Sequence, residues 1–304
     1  MRPNLSVEIS GVRLKNPILL ASGTAGFGCE IADLVNLSAI GGVVTKTITP
    51  LPREGNPPPR IWETPCGMLN SIGLQNPGLE AFLSDIAPEL EKLDTEIIVS
   101  VGGSSIDDFV KIINSLNELP FIHIVELNLS CPNVAEGGIH FGREAKTVAE
   151  LVEKVRGIAR MAVWVKLSPQ TSDIVEIARA AEGAGADAIS VINTFPAMAI
   201  DIHSRRPRLG GITGGLSGAA VHPVAVATVY ALAQKIGIPI IGIGGITRPE
   251  DAVEMLIAGA SAVQIGSGYF SNTRLPEECV DFLTDYLVQH GFNSVEDIIN
   301  SAEI

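Results

Sequence analysis

Residues 146–193 read KTVAELVEKVRGIARMAVWVKLSPQTSDIVEIARAAEGAGADAISVIN. The segments KTVAELVEKVRGIAR and DIVEIARAAEGAGA place apolar residues at steps of three and four, which is typical of amphipathic helices. The segments AVWVKLS and ADAISVIN are short, nearly continuous apolar runs, as expected for strands that are buried on both faces. The stretch therefore predicts helix, strand, helix and strand in succession, which is the repeating unit of a parallel α/β fold.

The same alternation extends along the chain. Apolar runs begin at residues 17, 41, 96, 122, 162, 186, 239 and 261, and they read PILLAS, GGVVTKT, EIIVSV, IHIVELN, AVWVKLS, ADAISVIN, PIIGIGG and SAVQIGS. Eight such strands in a chain of 304 residues predict one domain, residues 1–304, folded as a (β/α)8 TIM barrel behind an N-terminal hairpin at LSVEISGVRLKN. A doubly wound open sheet is the competing fold. It would require an early G-x-G-x-x-G turn, whereas the first run continues into ASGTAGFG, which has a different spacing.

Composition limits the possible partners. The formal net charge of −13 argues against nucleic acid or an anionic membrane surface. The opening MRPNLSVEIS lacks the apolar segment of a signal peptide, and no apolar run approaches the ~20 residues of a membrane span, so we expect a cytoplasmic protein. The four cysteines form no C-x-x-C pair. We therefore expect no metal site, iron–sulfur cluster or disulfide on this chain.

Two connections, residues 47–77 and 194–218, are unusually long. The first is rich in proline and the second in glycine and arginine. Long insertions in a compact barrel are usually lids or binding loops, and disorder is the alternative. We predict that both are active-site loops.

Barrels of this kind bind ligands at the C-terminal ends of their strands. In chain order, the predicted strands end at Ser22, Thr45–Lys46, Ser100, Asn128, Lys166, Asn193, Gly244–Gly245 and Gly266–Ser267. The last two ends are glycine-rich, and glycine lets backbone N–H groups approach an anion. The loops GIGGITRPEDAVEML and VQIGSGYF therefore predict a phosphate site. Glycines that serve only to form tight turns would give the same sequence pattern.

The other strand ends are polar. Lys46 and Lys166 each end an apolar strand, where an ammonium needs an anion or a polar ligand unless it reaches solvent. Asn70, Asn128 and Asn193 add amide donors and acceptors that suit a flat polar ring, although an asparagine alone is often a turn former. Asn133 belongs to the same set.

Cys131 lies in ELNLSCPNVAEGG, residues 126–138. A free thiol can act as a nucleophile or as a general base, but a nucleophilic cysteine usually needs a neighbouring histidine. No histidine ends a predicted strand, although His140 is close in sequence. From the residues alone, a base, a nucleophile and an inert loop thiol all remain open.

The motifs ELNLSCPNV, VKLSP, VINTFPAMAID, GGLSG, IGIGGI and QIGSGYF, in this order, strongly resemble the class 1 dihydroorotate dehydrogenases over nearly the whole chain. The stretch NTFPAMAIDIHSRRPRLGGITGGLSGAAVHP is more similar to the NAD-linked subclass 1B than to the fumarate-linked subclass 1A. The resemblance implies oxidation of (S)-dihydroorotate to orotate in pyrimidine (UMP) biosynthesis. It also implies FMN as the phosphate-bearing ligand.

The resemblance assigns roles to individual residues. Cys131 would take the proton from carbon 5 of dihydroorotate while a hydride leaves carbon 6 for flavin N5. The positions that match flavin contacts are Ser22, Lys46, Thr47, Asn128, Lys166, Ile192, Gly218, Gly244, Gly245, Gly266 and Ser267. The positions that match substrate contacts are Lys46, Asn70, Ser71, Ile72, Gly73, Leu74, Asn128, Asn133, Asn193 and Thr194.

One departure stands out: the family often has asparagine where this chain has Ser100, so we do not assign Ser100 a ligand. Subclass 1B also implies a second subunit that carries FAD and a 2Fe–2S cluster and passes electrons to NAD. The implied assembly is a catalytic homodimer within a heterotetramer. The alternatives are the fumarate-dependent subclass 1A, a related pyrimidine-reducing barrel, and a barrel that binds a phosphate ligand without redox chemistry.

Overall fold

The computed structural model of the chain describes residues 2–129, 142–171 and 173–303. Its centre is a closed barrel in which every neighbouring pair of strands is parallel. The barrel strands, in chain order and in their order around the barrel, are Ile18–Leu20, Gly42–Val44, Glu96–Val101, Ile124–Asn128, Ala162–Lys166, Ala188–Val191, Ile240–Ile243 and Ala262–Ile265. Each predicted apolar run contains one of these strands, so the (β/α)8 prediction is confirmed.

Helices cover the outside of the barrel. The α-helices are Gly78–Ala81, Ala87–Leu90, Ile106–Leu116, Ala145–Arg156, Ile174–Gly183, His222–Ala233, Pro249–Ala258, Gly268–Ser271 and Leu275–His290, and a π-helical turn, Phe82–Ile86, joins the first two. Short 3-10 turns are Cys29–Ile31, Leu37–Ala39, Ala219–Val221 and Val295–Asp297. The first and second barrel strands are connected by 3-10 turns rather than by an α-helix.

The helix Ala145–Arg156 illustrates how the sequence produces this packing. It buries Val148, Leu151, Val152 and Val155, which lie on one face because they are three or four residues apart. Each of these side chains contributes on the order of 1.5–3 kcal/mol on burial. The next helix, Ile174–Gly183, begins where the Asp173 carboxylate accepts hydrogen bonds from two N–H groups of its first turn.

An antiparallel hairpin, Val7–Ile9 with Val12–Leu14, precedes the barrel as predicted. The Ser10 hydroxyl at its turn donates to the Asp187 carbonyl and accepts from the Trp164 indole N–H. Asp187 directly precedes the sixth barrel strand. The hairpin therefore packs at the N-terminal end of the barrel and leaves the C-terminal end for ligands.

The two long connections are not irregular loops. They contribute a four-stranded antiparallel sheet with the strand order Phe195–Ala197, Gly214–Ser217, Gly67–Asn70 and Ile61–Thr64. A two-stranded ribbon, Ile200–Asp201 with Arg206–Pro207, extends from it. The Arg208 guanidinium, which follows the ribbon, lies 4.4 Å from the centre of the Trp62 ring in the four-stranded sheet. This contact links the ribbon to the sheet. We call the four-stranded element the small sheet.

Of the helices that the structure describes, none combines the length and the apolar character that crossing a membrane would require.

Candidate active site

A cleft of about 530 Å³ opens between the C-terminal ends of the barrel strands and the small sheet. The predicted flavin contacts that line it are Ser22, Lys46, Thr47, Asn128, Lys166, Ile192, Gly244, Gly245, Gly266 and Ser267. The predicted substrate contacts that line it are Lys46, Asn70, Ser71, Ile72, Gly73, Leu74, Asn128, Asn193 and Thr194. Most of the residues predicted from the strand ends and from the family resemblance therefore line one cleft.

Three predicted residues do not appear in that lining. Cys131 and Asn133 lie outside the described residues. Gly218 follows the small-sheet strand Gly214–Ser217, and a Cβ there would lie 2.4 Å from the Cα of Gly67. It packs against Gly67, and its contact with a cofactor stays a prediction.

The seventh and eighth strand ends form a cradle of backbone groups. Within the part of the chain that the structure describes, no acceptor pairs with the N–H groups of Gly245, Gly266 and Ser267. Gly245 has a φ of +66°, and a Cβ there would lie 2.5 Å from the backbone nitrogen of His222, where the helix His222–Ala233 begins. Only glycine fits this close approach, and unpaired N–H groups that face a cleft suit a phosphate.

Side-chain hydroxyls order the part of the cleft floor formed by the first four barrel strands. Thr47 Oγ1 lies 2.9 Å from Ser100 Oγ and accepts a hydrogen bond from Asn128 Nδ2 at 3.1 Å. Ser22 Oγ donates to the Thr45 carbonyl at 2.8 Å and lies 3.3 Å from Thr47 Oγ1. Because these partners fix the Thr47 hydroxyl and the amide of Asn128, the predicted ligand contacts are oriented before any ligand binds.

Ser100 differs from its predicted place. The third barrel strand continues to Val101, so Ser100 lies within the strand rather than at its end, and its side chain is fully buried. Its hydroxyl contacts Thr47 and lies outside the cleft lining. The serine side chain therefore supports Thr47. An asparagine at this position would be longer.

The two predicted lysines have different surroundings. Burial lowers the pKa of the Lys46 ammonium below its ordinary value, because its charged form is poorly solvated. An anionic ligand in the cleft would offset that cost. Lys166 is buried, and its Nζ lies 3.4 Å from Oε1 of Glu126, which is also buried. Both ammonium groups line the same cleft.

The sequence reasoning missed two groups of residues. The lining also includes Thr213 and the small-sheet residues Gly215, Leu216 and Ser217, together with Arg143, Gln170 and Phe270. Inside the barrel, Glu126 contacts Ser190 and Gln264, and all three are buried. A signal for the second group was present, since each is a polar residue in the middle of an apolar run.

His222, Asp251 and Glu254 bring together three potential metal-ligand atoms. These atoms already have partners: His222 contacts the Gly244 carbonyl at 3.0 Å and the Glu254 carboxylate at 3.1 Å. Burial alone would raise the pKa of Asp251, but the N–H groups of Thr247 and Arg248 donate to its carboxylate and lower the pKa below its ordinary value. The cluster anchors the glycine cradle to the two helices behind it.

The donor set fits FMN, the cofactor that the resemblance implies. The cradle offers unpaired N–H groups for a phosphate, and Asn128 and Thr47 offer hydrogen bonds to a polar ring. Lys166 places a positive charge beside the same space. Gly266 leaves room for a ligand to approach its backbone closely, because the nearest protein atom to a Cβ there would be Ala21 Cβ at 3.8 Å.

Comparisons with known proteins agree with this geometry. A family model described as "Dihydroorotate dehydrogenase" matches residues 4–287. The chain is 48% identical over 301 residues to the "Dihydroorotate dehydrogenase B (NAD(+)), catalytic subunit" of Bacteroides fragilis, covering 99% of each chain. It is also 48% identical to the protein of the same name from Caldicellulosiruptor bescii, covering 99% of this chain and 100% of that one.

Among solved structures, the fold is similar to that of DHODH in complex with ferulenol from Eimeria tenella. The TM-score is 0.80 at 24% sequence identity, and the match covers 98% of this chain and 88% of that chain. At this identity the likeness concerns the fold, which is the same barrel. The match of the family model and of full-length relatives, together with the cleft at the barrel rim, shows that this chain belongs to the dihydroorotate dehydrogenase family.

Proposed function

We propose that this chain oxidises (S)-dihydroorotate to orotate in pyrimidine biosynthesis, as the catalytic subunit of an NAD-linked enzyme. Two findings together carry the proposal: the full-length similarity to relatives of that name, and one cleft that is lined by most of the predicted residues. The names of these relatives specify NAD(+), which favours NAD over the fumarate alternative. A barrel without redox chemistry is not favoured by any of these relatives.

FMN would be held by the backbone of Gly244, Gly245, Gly266 and Ser267 and by the side chains of Ser22, Thr47, Asn128 and Lys166. When bound, FMN supplies the acceptor for the hydride from carbon 6 of dihydroorotate. Lys166 supplies positive charge at this place, and its own position is fixed by Glu126. The Asn128 amide is held by Thr47, so it is presented to both ligands in one orientation.

The substrate is a flat ring with a carboxylate, and the remaining side chains suit it. Lys46, whose partly buried ammonium has no carboxylate partner among the described residues, would bind the anionic group. Asn70 lies on the small sheet, where its Nδ2 donates to the Gly215 carbonyl at 3.2 Å. Asn193 and Thr194 follow the sixth barrel strand and line the same cleft. The small-sheet strands Gly67–Asn70 and Gly214–Ser217 supply one wall of the cleft.

Cys131 is proposed as the base that takes the proton from carbon 5. Two described residues that flank it in sequence, Asn128 and Arg143, both line the cleft, which supports this role. We expect Cys131→Ala to bind FMN normally but to slow its reduction by dihydroorotate about 10²–10⁴-fold, the usual contribution of a positioned base. Cys131→Ser should keep part of that rate, shifted to higher pH. Rapid reduction in the alanine variant at neutral pH would remove Cys131 from the mechanism.

The electron acceptor and the assembly are also part of the proposal. We propose a cytoplasmic homodimer bound by two subunits that carry FAD and a 2Fe–2S cluster, through which electrons reach NAD. Steady-state assays of the purified chain, with and without a co-purified flavin–iron–sulfur subunit, test this. The chain alone should reduce artificial acceptors, and NAD only when the partner is present. Fast fumarate reduction by the isolated chain would refute the NAD assignment.

A further inference from the structure

Glu126 is a charged residue in the middle of a buried strand. It belongs to the fourth barrel strand, Ile124–Asn128, two residues before the predicted flavin contact Asn128. Its side chain is 0% exposed. A carboxylate in this position is costly unless hydrogen bonds and an opposite charge offset the loss of water.

The groups around the carboxylate are donors. Ser190 Oγ donates to Oε2 at 2.9 Å, and Gln264 Nε2 donates to the same oxygen at 2.7 Å. Lys166 Nζ lies 3.4 Å from the other oxygen, Oε1. An ionised carboxylate accepts hydrogen bonds and donates none, so this is the environment of a charged Glu126.

Oε1 has no hydrogen-bond partner in the described part of the chain, which leaves the ion pair with Lys166 as its compensation. Lys166 pairs with this oxygen and also lines the cleft. The positive charge that a ligand meets is therefore the charge of Lys166 reduced by the carboxylate behind it. At such distances in a poorly solvated interior, charges interact strongly.

We propose that Glu126 is a positioning residue that fixes the Lys166 ammonium beside the cofactor and limits the preference of the site for reduced, anionic flavin. The inference rests on the proposed function, since it presumes FMN in the cleft. A role in barrel stability alone is the competing explanation, because the carboxylate joins the fourth, fifth, sixth and eighth strands. The two explanations predict different effects of a Glu126 substitution on the midpoint potential of the bound flavin.

The test is the ratio of the Kd of oxidised FMN to the Kd of reduced FMN, obtained from the midpoint potential of the loaded protein. Glu126→Gln keeps the shape of the side chain and removes its charge. We expect the ratio to rise at least tenfold, which for a two-electron couple is a potential about 30 mV higher. In a Lys166→Met background there is no ammonium for the carboxylate to fix, so the added Glu126→Gln change should alter the ratio clearly less than it does with Lys166 present.

Ser190→Ala is the matched control. It removes one hydrogen bond from the same carboxylate without changing the charge, so it should lower the melting temperature and leave the potential unchanged. If Glu126→Gln does not fold, Glu126→Asp provides the same test. The carboxylate then lies further from Lys166, and the potential should rise by a smaller amount.

An unchanged potential in the folded Glu126 variant, or an equal shift in both Lys166 backgrounds, would overturn the inference and leave only a structural role. Absence of FMN binding by the wild-type chain would overturn the proposed function as well. The two failures are therefore distinguishable.

Discussion

Replacing Gly266 with alanine tests whether the cofactor lies against the eighth strand end. The added Cβ would have Ala21 Cβ as its nearest neighbour, at 3.8 Å, which is ordinary van der Waals contact. Gly266 also lies outside the left-handed backbone region that favours glycine. We therefore expect the stability of the apoprotein to change by less than ~0.5 kcal/mol, as for a substitution that meets no strained feature.

Binding of FMN should respond very differently. A cofactor seated against Gly266 would have to move away from the new methyl group, and overpacking of a close contact costs about 1–3 kcal/mol. This corresponds to an increase of about 5- to 150-fold in the Kd of FMN. The loss would arise in the complex alone, because the protein itself accommodates the methyl group.

The assay is fluorescence titration of the apoprotein with FMN, combined with thermal unfolding of the same samples without FMN. Gly183→Ala is the matched control, because Gly183 ends the outer helix Ile174–Gly183 and a Cβ there meets nothing within 4 Å. The control should bind FMN like the wild type. An alanine at 266 that folds normally and binds FMN with the wild-type Kd would refute the placement of the cofactor at this loop.

Further predictions concern charge, backbone and thiols. Lys46→Met should stabilise the apoprotein at neutral pH, because burial lowers the pKa of the ammonium. The gain should shrink as the pH rises from that lowered pKa toward the ordinary value of 10.5, and a constant gain in urea unfolding would contradict it. Gly245→Ala should lower the melting temperature of the apoprotein as well as its affinity for FMN, because its Cβ would clash with the His222 nitrogen at 2.5 Å, and wild-type stability would contradict this. Iodoacetamide should label exposed Cys66 in the native protein and spare buried Cys279, whose thiol pKa burial raises to about 12; peptide mass mapping that finds equal labelling would contradict the packing.

The barrel could be predicted from the sequence because parallel strands that are buried on both faces leave continuous apolar runs. Each of the eight runs contains a strand. The small sheet could not be predicted in this way. Its strands are short and partly exposed, and they contain glycine and proline, as in Phe195–Ala197 and Gly214–Ser217, so their composition is that of loops. Their pairing depends on contacts between distant parts of the chain.

The rim of the cleft was predictable for a related reason. In a closed parallel barrel all strands end on one side, so the residues that follow them must meet there, as Lys46, Asn128 and Gly245 do. The support beneath the rim depends on strand register, which the sequence does not reveal. Ser100 beneath Thr47 and Glu126 beneath Lys166 are examples. Glu126 could be noticed in the sequence as a charged residue within an apolar run. Its partner, Lys166, could be identified only from the structure.

Dihydroorotate oxidation by this chain can be tested most directly in a single turnover. The FMN-loaded chain is mixed without oxygen with a stoichiometric amount of dihydroorotate, while flavin absorbance and orotate are followed together. We predict that the visible flavin band bleaches and that one orotate forms for each flavin reduced. A chain whose bound FMN is reduced by dithionite but not by dihydroorotate would contradict the proposed function.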